Sequence, residues 1–265
     1  MQTVPIGSLN VSRFTIGGNP LSGFSHLDPE TSTRMRHYFT ASQIKRLLRD
    51  AESAGVNTLF ARADRHITRV LLEYWDEGGQ IQWLAQTCPE LGAIKVSVQN
   101  AIDGGAKACY VHGGVMDHLL AQGGLDEVSP AIEMIKAAGM PAGVAGHIPD
   151  VFQWAEREID VDFYMCCHYN PTWRVESPHS GSGGVEHFGD EDRHAMAKTI
   201  ATLSKPVIHY KVLAAGRNDP AEAFAFVARH MRPQDAVCVG IYDEDNPDML
   251  REDIELLETG LAARL

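Results

Sequence analysis

Four histidines close four successive apolar runs: His112 ends KACYVH, His147 ends PAGVAGH, His168 ends VDFYMCCH and His209 ends PVIH. Near neutral pH an imidazole can move a proton, ligate a metal, or offer one N–H to a carbonyl oxygen. Other reactive groups gather at similar places. Arg62, Asp64, Arg65 and His66 follow NTLFA, Cys167 precedes His168, Tyr210 and Lys211 follow His209, and Trp173 stands beyond Asn170-Pro171. Neutral imidazoles converging in one pocket suit zinc, manganese or iron, so His112, His147 and His168 are candidate metal ligands. The pair His112 and His147 reads equally as acid and base, with Lys211 and Asp64 assisting proton transfer. Arg62 and Arg65 could grip a carboxylate or phosphate through paired donors. His66, Tyr210 and Trp173 complete a candidate substrate-binding set.

Each residue also has a plainer reading. Any one histidine can be a satisfied hydrogen-bonding residue, Lys211 can pair with Asp64, and Arg62 and Arg65 can form salt bridges above a helix. Cys167, beside Cys166 in an apolar strand, reads as packing. Alternation along a strand ranks His168 and His209 below the other two, since they can turn outward. There is no HExxH, no CxxC and no dinucleotide or P-loop glycine spacing, so local sequence does not link these groups. Only the fold can.

Short apolar runs alternate with longer amphipathic ones along all 265 residues. Strands are expected at Phe14–Asn19, Thr58–Ala61, Ile81–Thr87, Ala108–His112, Ala142–Gly146, Asp162–His168, Pro206–Tyr210 and Ala236–Ile241. Each is followed by a helix. One is expected from Thr40 to Ala54, with Ile44, Leu47, Leu48 and Ala51 at helical spacing. Another is expected from Glu127 to Ala138 with Gly139 as its stop, and a third starts at Asp219-Pro220. Eight such strands close a (β/α)8 barrel, a TIM barrel, in a single domain over 1–265. Thr3–Ile6 and Leu9–Val11 around Gly7-Ser8 form an N-terminal β-hairpin fit to plug the lower opening. Ser177 to Gly189, rich in glycine and serine, reads as a rim loop or lid.

Composition narrows the partners. The formal net charge of −12 disfavours a nucleic-acid groove. Five cysteines without paired spacing indicate a reducing compartment. No signal-peptide pattern and no membrane-length apolar run are present. The expectation is a cytoplasmic protein with a small-molecule substrate and no membrane partner.

The segments GGNP, AGVNTLF, YVHGG, AIEMIKAAGMPAGVAGH, VDFYMCCHYNP and VIHYKVLAAG follow the order seen in aldo-keto reductases. The chain resembles that family over nearly its whole length, and the resemblance implies the same barrel with its N-terminal hairpin. It also implies a tyrosine, lysine, aspartate and histidine tetrad, of which only His112 is present. Phe60 stands where the aspartate belongs, Arg65 or His66 where the tyrosine belongs, and Gln86-Thr87 where the lysine belongs. The family's nicotinamide contacts are replaced by Ala145-Gly146 and Cys166, and its phosphate-binding basic cluster by Asp243, Glu244 and Asp245. Tyr210 matches the ring that stacks on the nicotinamide.

The leading expectation is therefore a non-redox lyase, isomerase or hydrolase, metal-assisted or not, acting on a small hydroxylated or carboxylated substrate. The alternative is a divergent NAD(P)-dependent reductase that draws its proton from His66 or His112. A third reading is a binding barrel without catalysis.

Overall fold

The computed structural model describes residues 1–171, 174, 176–178 and 187–264. Two short strands, β1 (Thr3–Ile6) and β2 (Leu9–Ser12), pair antiparallel around Gly7. Eight parallel strands follow: β3 (Phe14–Gly17), β4 (Thr58–Arg62), β5 (Gln82–Gln86), β6 (Ala108–Val111), β7 (Ala142–Gly146), β8 (Phe163–Cys167), β9 (Val207–Tyr210) and β10 (Ala236–Val239). They close into a barrel in chain order, with β10 pairing back onto β3. This is the expected α/β TIM barrel with its leading hairpin.

Helices cross between the strands and cover the outside. Two, α1 (Pro29–Tyr38) and α2 (Ala41–Ser53), separate β3 from β4. The apolar spacing places α2, and Thr40 caps it by accepting from the Gln43 N–H. The sequence pattern does not reveal α1, because its only buried residue is Met35. Its start is local: Asp28 accepts from the Thr31 N–H and Pro29 presets the first turn. α3 (Arg65–Asp76) precedes β5, and α4 (Ile94–Asp103) precedes β6. α5 (Gly113–Gln122) and α6 (Ser129–Ala137) both lie between β6 and β7. The helix expected from Glu127 begins later because Leu125–Val128 is a 3-10 turn. Gly139, at φ 76°, follows its end. The rest are α7 (Pro149–Glu158), α8 (Asp190–Ile200), α9 (Pro220–His230) and α10 (Met249–Ala262).

Alternate strand residues face inward, which divides the core in two. Leu59, Trp83, Cys109, Val144 and Tyr164 point outward and pack beneath the helices. Phe60, Leu84, Tyr110, Ala145, Met165 and Ile208 fill the barrel together with Val4, Ile6 and Val11 of the hairpin. The hairpin thus plugs the end where the strands begin, and Gly7 packs on Pro141 there. Above it the rings of Phe60, Tyr110 and Phe163 meet edge-on, with centroids 5.9–6.4 Å apart.

Gly143 sits beside Phe163 in register. A Cβ there would lie 2.5–2.7 Å from three atoms of that ring. Gly143→Ala is therefore expected to cost about 1–3 kcal/mol through overpacking, measured as a lower urea midpoint. A midpoint equal to wild type would show that the ring can move aside.

Candidate functional site

The inward phase of each strand continues past its end. Phe60 leads to Arg62, Leu84 to Gln86, Tyr110 to His112, Ala145 to His147, Met165 to Cys167, and Ile208 to Tyr210. These side chains gather at the mouth opposite the hairpin. His168 and His209 are one residue out of phase and lie buried outside the barrel wall, His168 against Phe226 of α9.

A cavity of about 350 Å³ opens at the mouth, a size that suits a small molecule. Met165 and Tyr110 are at its floor, with Tyr210, Lys211 and Gly17–Asn19 along its sides. Phe24, Leu27 and Met35 supply apolar walls from the segment before and within α1. A side compartment of similar volume shares Asn19, Arg62 and Gln86 and is bounded by Glu90 and His112. The turn after β9 is strained: Lys211, Ala214 and Ala215 hold φ of 55°, 48° and 56°. Left-handed backbone at non-glycine residues costs about 1–3 kcal/mol each, and such strain concentrates at ligand-binding turns.

His112 is the N-cap of α5, and the Gly114 N–H donates to its Nδ1 at 3.0 Å. An Nδ1 that accepts leaves the ring proton on Nε2. Burial, reinforced by the cations of Arg174 and Lys211 and by the neighbouring His147 ring, lowers its pKa to about 3. His112 is therefore a neutral N–H donor, suited to polarising a carbonyl oxygen.

Tyr210, His147 and Asp117 form a hydrogen-bonded chain. Asp117, on the buried face of α5, is 1% exposed. Its carboxylate accepts the His147 backbone N–H at 3.0 Å and lies 2.6 Å from His147 Nδ1, and Arg174 Nη1 donates to it at 3.1 Å. A carboxylate has only acceptors, so Nδ1 carries the ring hydrogen and Nε2 is left to accept. The Tyr210 hydroxyl, 3.3 Å from Nε2 and 3.4 Å from the Gly146 carbonyl, is the available donor. Burial raises Asp117 to about 6 and holds His147 well below the usual imidazole range. A Cβ on Gly113 would lie 3.0 Å from both His147 Cε1 and Tyr210 Oη, so glycine keeps space beside the pair.

The other candidate residues are distributed differently. Asp64 caps α3, accepting from the Ile67 N–H, and pairs with Arg62 at 2.9 Å. Its oxygens are thus occupied away from the His112–His147 pair. Arg62 lines both compartments but is also paired with Glu90 and lies over the Phe24 ring at 4.9 Å. Arg65 and His66 are exposed on α3 and do not line the mouth cavity. Lys211 lines that cavity. Trp173, and most of the glycine-serine stretch from Ser177 to Gly189, lie outside the described residues. Cys167 is a buried thiol raised to about 11 by burial.

The metal set His112, His147 and His168 does not assemble, because strand alternation puts His168 outside the barrel wall. His168 Nε2 lies 2.9 Å from His209 Nδ1, and His209 Nε2 faces Asp235 at 3.5 Å. Among the described residues no group of three or more His, Cys, Asp or Glu side chains is placed to hold an ion. The acidic run after β10 is charge-compensated. Asp243 accepts from Tyr38 and Arg46 at 3.0 and 2.7 Å, and Arg34 donates to Glu244 and Asp245 at 2.6 and 2.8 Å.

Sequence reasoning passes over Asp117 and Arg174. Asp117 reads as the polar face of a helix, although the apolar GGVM before it and LL after it are a signal that this segment is buried. Arg174 comes from an irregular segment with no periodicity to place it.

No family model and no curated protein matches the sequence. Solved structures do. A protein carrying the name of an aldo-keto reductase from Pseudomonas aeruginosa superposes with a TM-score of 0.65 at 18% identity, over 98% of this chain and 95% of that one. The holo form of an aldo-keto reductase from Bacillus halodurans gives 0.59 at 12% identity, covering 98% and 96%. A truncated 3-deoxy-D-arabino-heptulosonate 7-phosphate synthase from Thermotoga maritima gives 0.60 at 10% identity, covering 99% and 92%. The chain has a barrel like those of these proteins, aldo-keto reductases among them, and at these identities the likeness concerns the fold. Among the described residues no helix is long and apolar enough to cross a membrane, and the five cysteines are free and buried.

The outer network around Asp235 is structural. Asp235 accepts from the Val207 and Arg232 backbone N–H groups and from the Arg232 side chain. Burial opposes its charge, but hydrogen bonds from His209 and Arg232 overcome that and bring it down to about 2. Asp235→Asn is expected to cost about 3 kcal/mol in urea unfolding and to leave ligand binding at the mouth unchanged. A stable variant with altered ligand binding would place this network in the site.

Proposed function

We propose that the chain is an enzyme interconverting a hydroxyl and a carbonyl group on a small, neutral, hydroxylated molecule, with NAD(H) as the redox partner. The observation that carries the reading is the Tyr210–His147–Asp117 chain reaching the mouth cavity, with a neutral His112 bounding the adjoining compartment. Tyr210 donates to His147, and its oxygen can take a proton from a substrate hydroxyl. The proton moves on to His147 Nε2, and Asp117 stabilises the imidazolium that forms, as in hydrolytic triads. The His112 Nε2–H offers a hydrogen bond to the oxygen that becomes a carbonyl, and the nearby Lys211 ammonium favours negative charge there. Arg62 already has two carboxylate partners, so the polar lining of Asn19, Gln86 and Arg62 favours hydroxyl groups over a second anion.

The donor set fits one nicotinamide cofactor better than the other. The strained turn 211–216 and the Lys211 charge would hold a pyrophosphate. Asp243, Glu244 and Asp245 offer nothing to a 2′-phosphate, which favours NAD(H) over NADP(H). When bound, the cofactor accepts or supplies the hydride. The fold likeness to reductases supports this class. A second reading keeps the same proton chain in a lyase or isomerase without a nucleotide, and the lack of a basic cluster after β10 favours it.

Titration with NADH and NADPH, followed by fluorescence, separates the two. Saturable NADH binding, tighter than NADPH, is expected, and no binding of either would remove the redox class. Tyr210→Phe and His112→Ala should each lower kcat by about 10²–10⁴-fold. Activity should fall as pH drops through about 6, where the raised Asp117 carboxyl takes up a proton and His147 loses its charged anchor. Full activity in Tyr210→Phe would sink the proton chain.

A further inference from the structure

Two donors converge on one oxygen. His147 Nδ1 lies 2.6 Å and Arg174 Nη1 3.1 Å from Asp117 Oδ2, and the two nitrogens are only 3.3 Å apart. All three residues are 1–5% exposed, so water does little to screen them. Two N–H donors cannot bond each other. Their approach is tolerable only with a full carboxylate between them and no second cation on the imidazole.

The fold builds this contact deliberately around α5. His118 Nδ1, next to Asp117 in sequence, meets the Arg174 carbonyl at 3.1 Å. Gly114 gives the arginine its passage: a Cβ there would lie 2.9 Å from Arg174 Nε. The glycine pair after His112 thus has two tasks, since Gly113 spares the His147–Tyr210 contact.

We infer that Arg174 is a positioning residue for the reaction proposed above. It orients the Asp117 carboxylate and adds its charge to the effect of burial in keeping His147 unprotonated, so the chain starts empty and accepts a proton from the substrate. For its catalytic consequence this rests on the proposed function; for its electrostatic content it does not. The groups acting on His147 are Asp117 from α5, Tyr210 from β9, His112 from the end of β6, the cations of Arg174 and Lys211, and the His26 ring. Arg174 comes first among those cations.

The test is nuclear magnetic resonance of histidine-¹⁵N-labelled full-length protein, with the His147 signals assigned by their loss in His147→Gln. In wild type the neutral form with hydrogen on Nδ1 is expected at about pH 7.5. In Arg174→Gln the pair should retain a proton to higher pH, moving the His147 titration upward by about one unit or more. Arg174→Lys should restore most of the neutral form, because the charge returns even though the geometry is poorer. The acid limb of kcat should move in the same direction, with KM little changed.

A purely structural arginine predicts lower thermal stability in Arg174→Gln with the His147 spectrum unchanged, and that result overturns the inference. If Arg174→Gln does not fold, Arg174→Met, which keeps the stem without the charge, is read in its place: a His147 titration moved upward supports the inference, and an unmoved one overturns it. The spectra need neither substrate nor nucleotide. Expected spectra without NADH binding would remove the redox reading and leave the role of Arg174 standing.

Discussion

The buried carboxylate of Asp117 is the interaction on which the site depends. It ties together the end of β7 through the His147 backbone, the His147 ring, and Arg174 from the segment beyond β8. A buried anion is tolerable only with such partners, and the partners are oriented only because the anion is there. Removing it would leave a guanidinium without its carboxylate in the wall of the barrel and an imidazole free to rotate. The tautomer of His147, and with it the direction of the Tyr210–His147 hydrogen bond, follows from that one charge.

The barrel makes the contact possible by alternation. A parallel strand buried on both faces offers one phase to the interior and one to the helices. The interior phase carries Tyr110, Ala145, Met165 and Ile208 and then, past the strand ends, His112, His147, Cys167 and Tyr210. The outer phase carries His209 and, past the end of β8, His168, which stiffen the wall through Asp235 and Arg232. Two histidine pairs of similar sequence context thus have opposite tasks, separated by one residue of register.

The likeness to reductase barrels and the missing tetrad are compatible. His112 stays where the family resemblance implies a carbonyl-orienting histidine, and burial keeps it neutral. In the proposed function, proton handling falls to Tyr210 and His147 at the ends of β9 and β7 rather than to the rim of β4 and β5. A barrel tolerates either placement because every strand end reaches the same mouth. The acidic run after β10 also changes meaning in three dimensions: Arg34 and Arg46 turn an apparent phosphate repellent into a clamp between that loop, α1 and α2.

Local sequence was enough to determine the class of fold. Eight runs rich in β-branched and apolar residues, the period of α2, the cap at Asp219-Pro220 and the hairpin around Gly7 are short-range signals, and each element formed near its expected bounds. It also singled out His112, His147, Tyr210 and Lys211, because strand ends are visible as the ends of apolar runs. Tertiary structure alone decided which of those groups meet. The phase of each strand depends on pairing with its neighbours, so His168 could not be excluded from the mouth, nor Asp64 assigned to a helix cap, from spacing. Asp117 and Arg174 are 57 residues apart. A carboxylate on a helix looks solvated in sequence until the helix packs its polar residue inward. Burial converts that aspartate from a surface charge into the anchor of the site, and burial belongs to the closed barrel rather than to any segment of it.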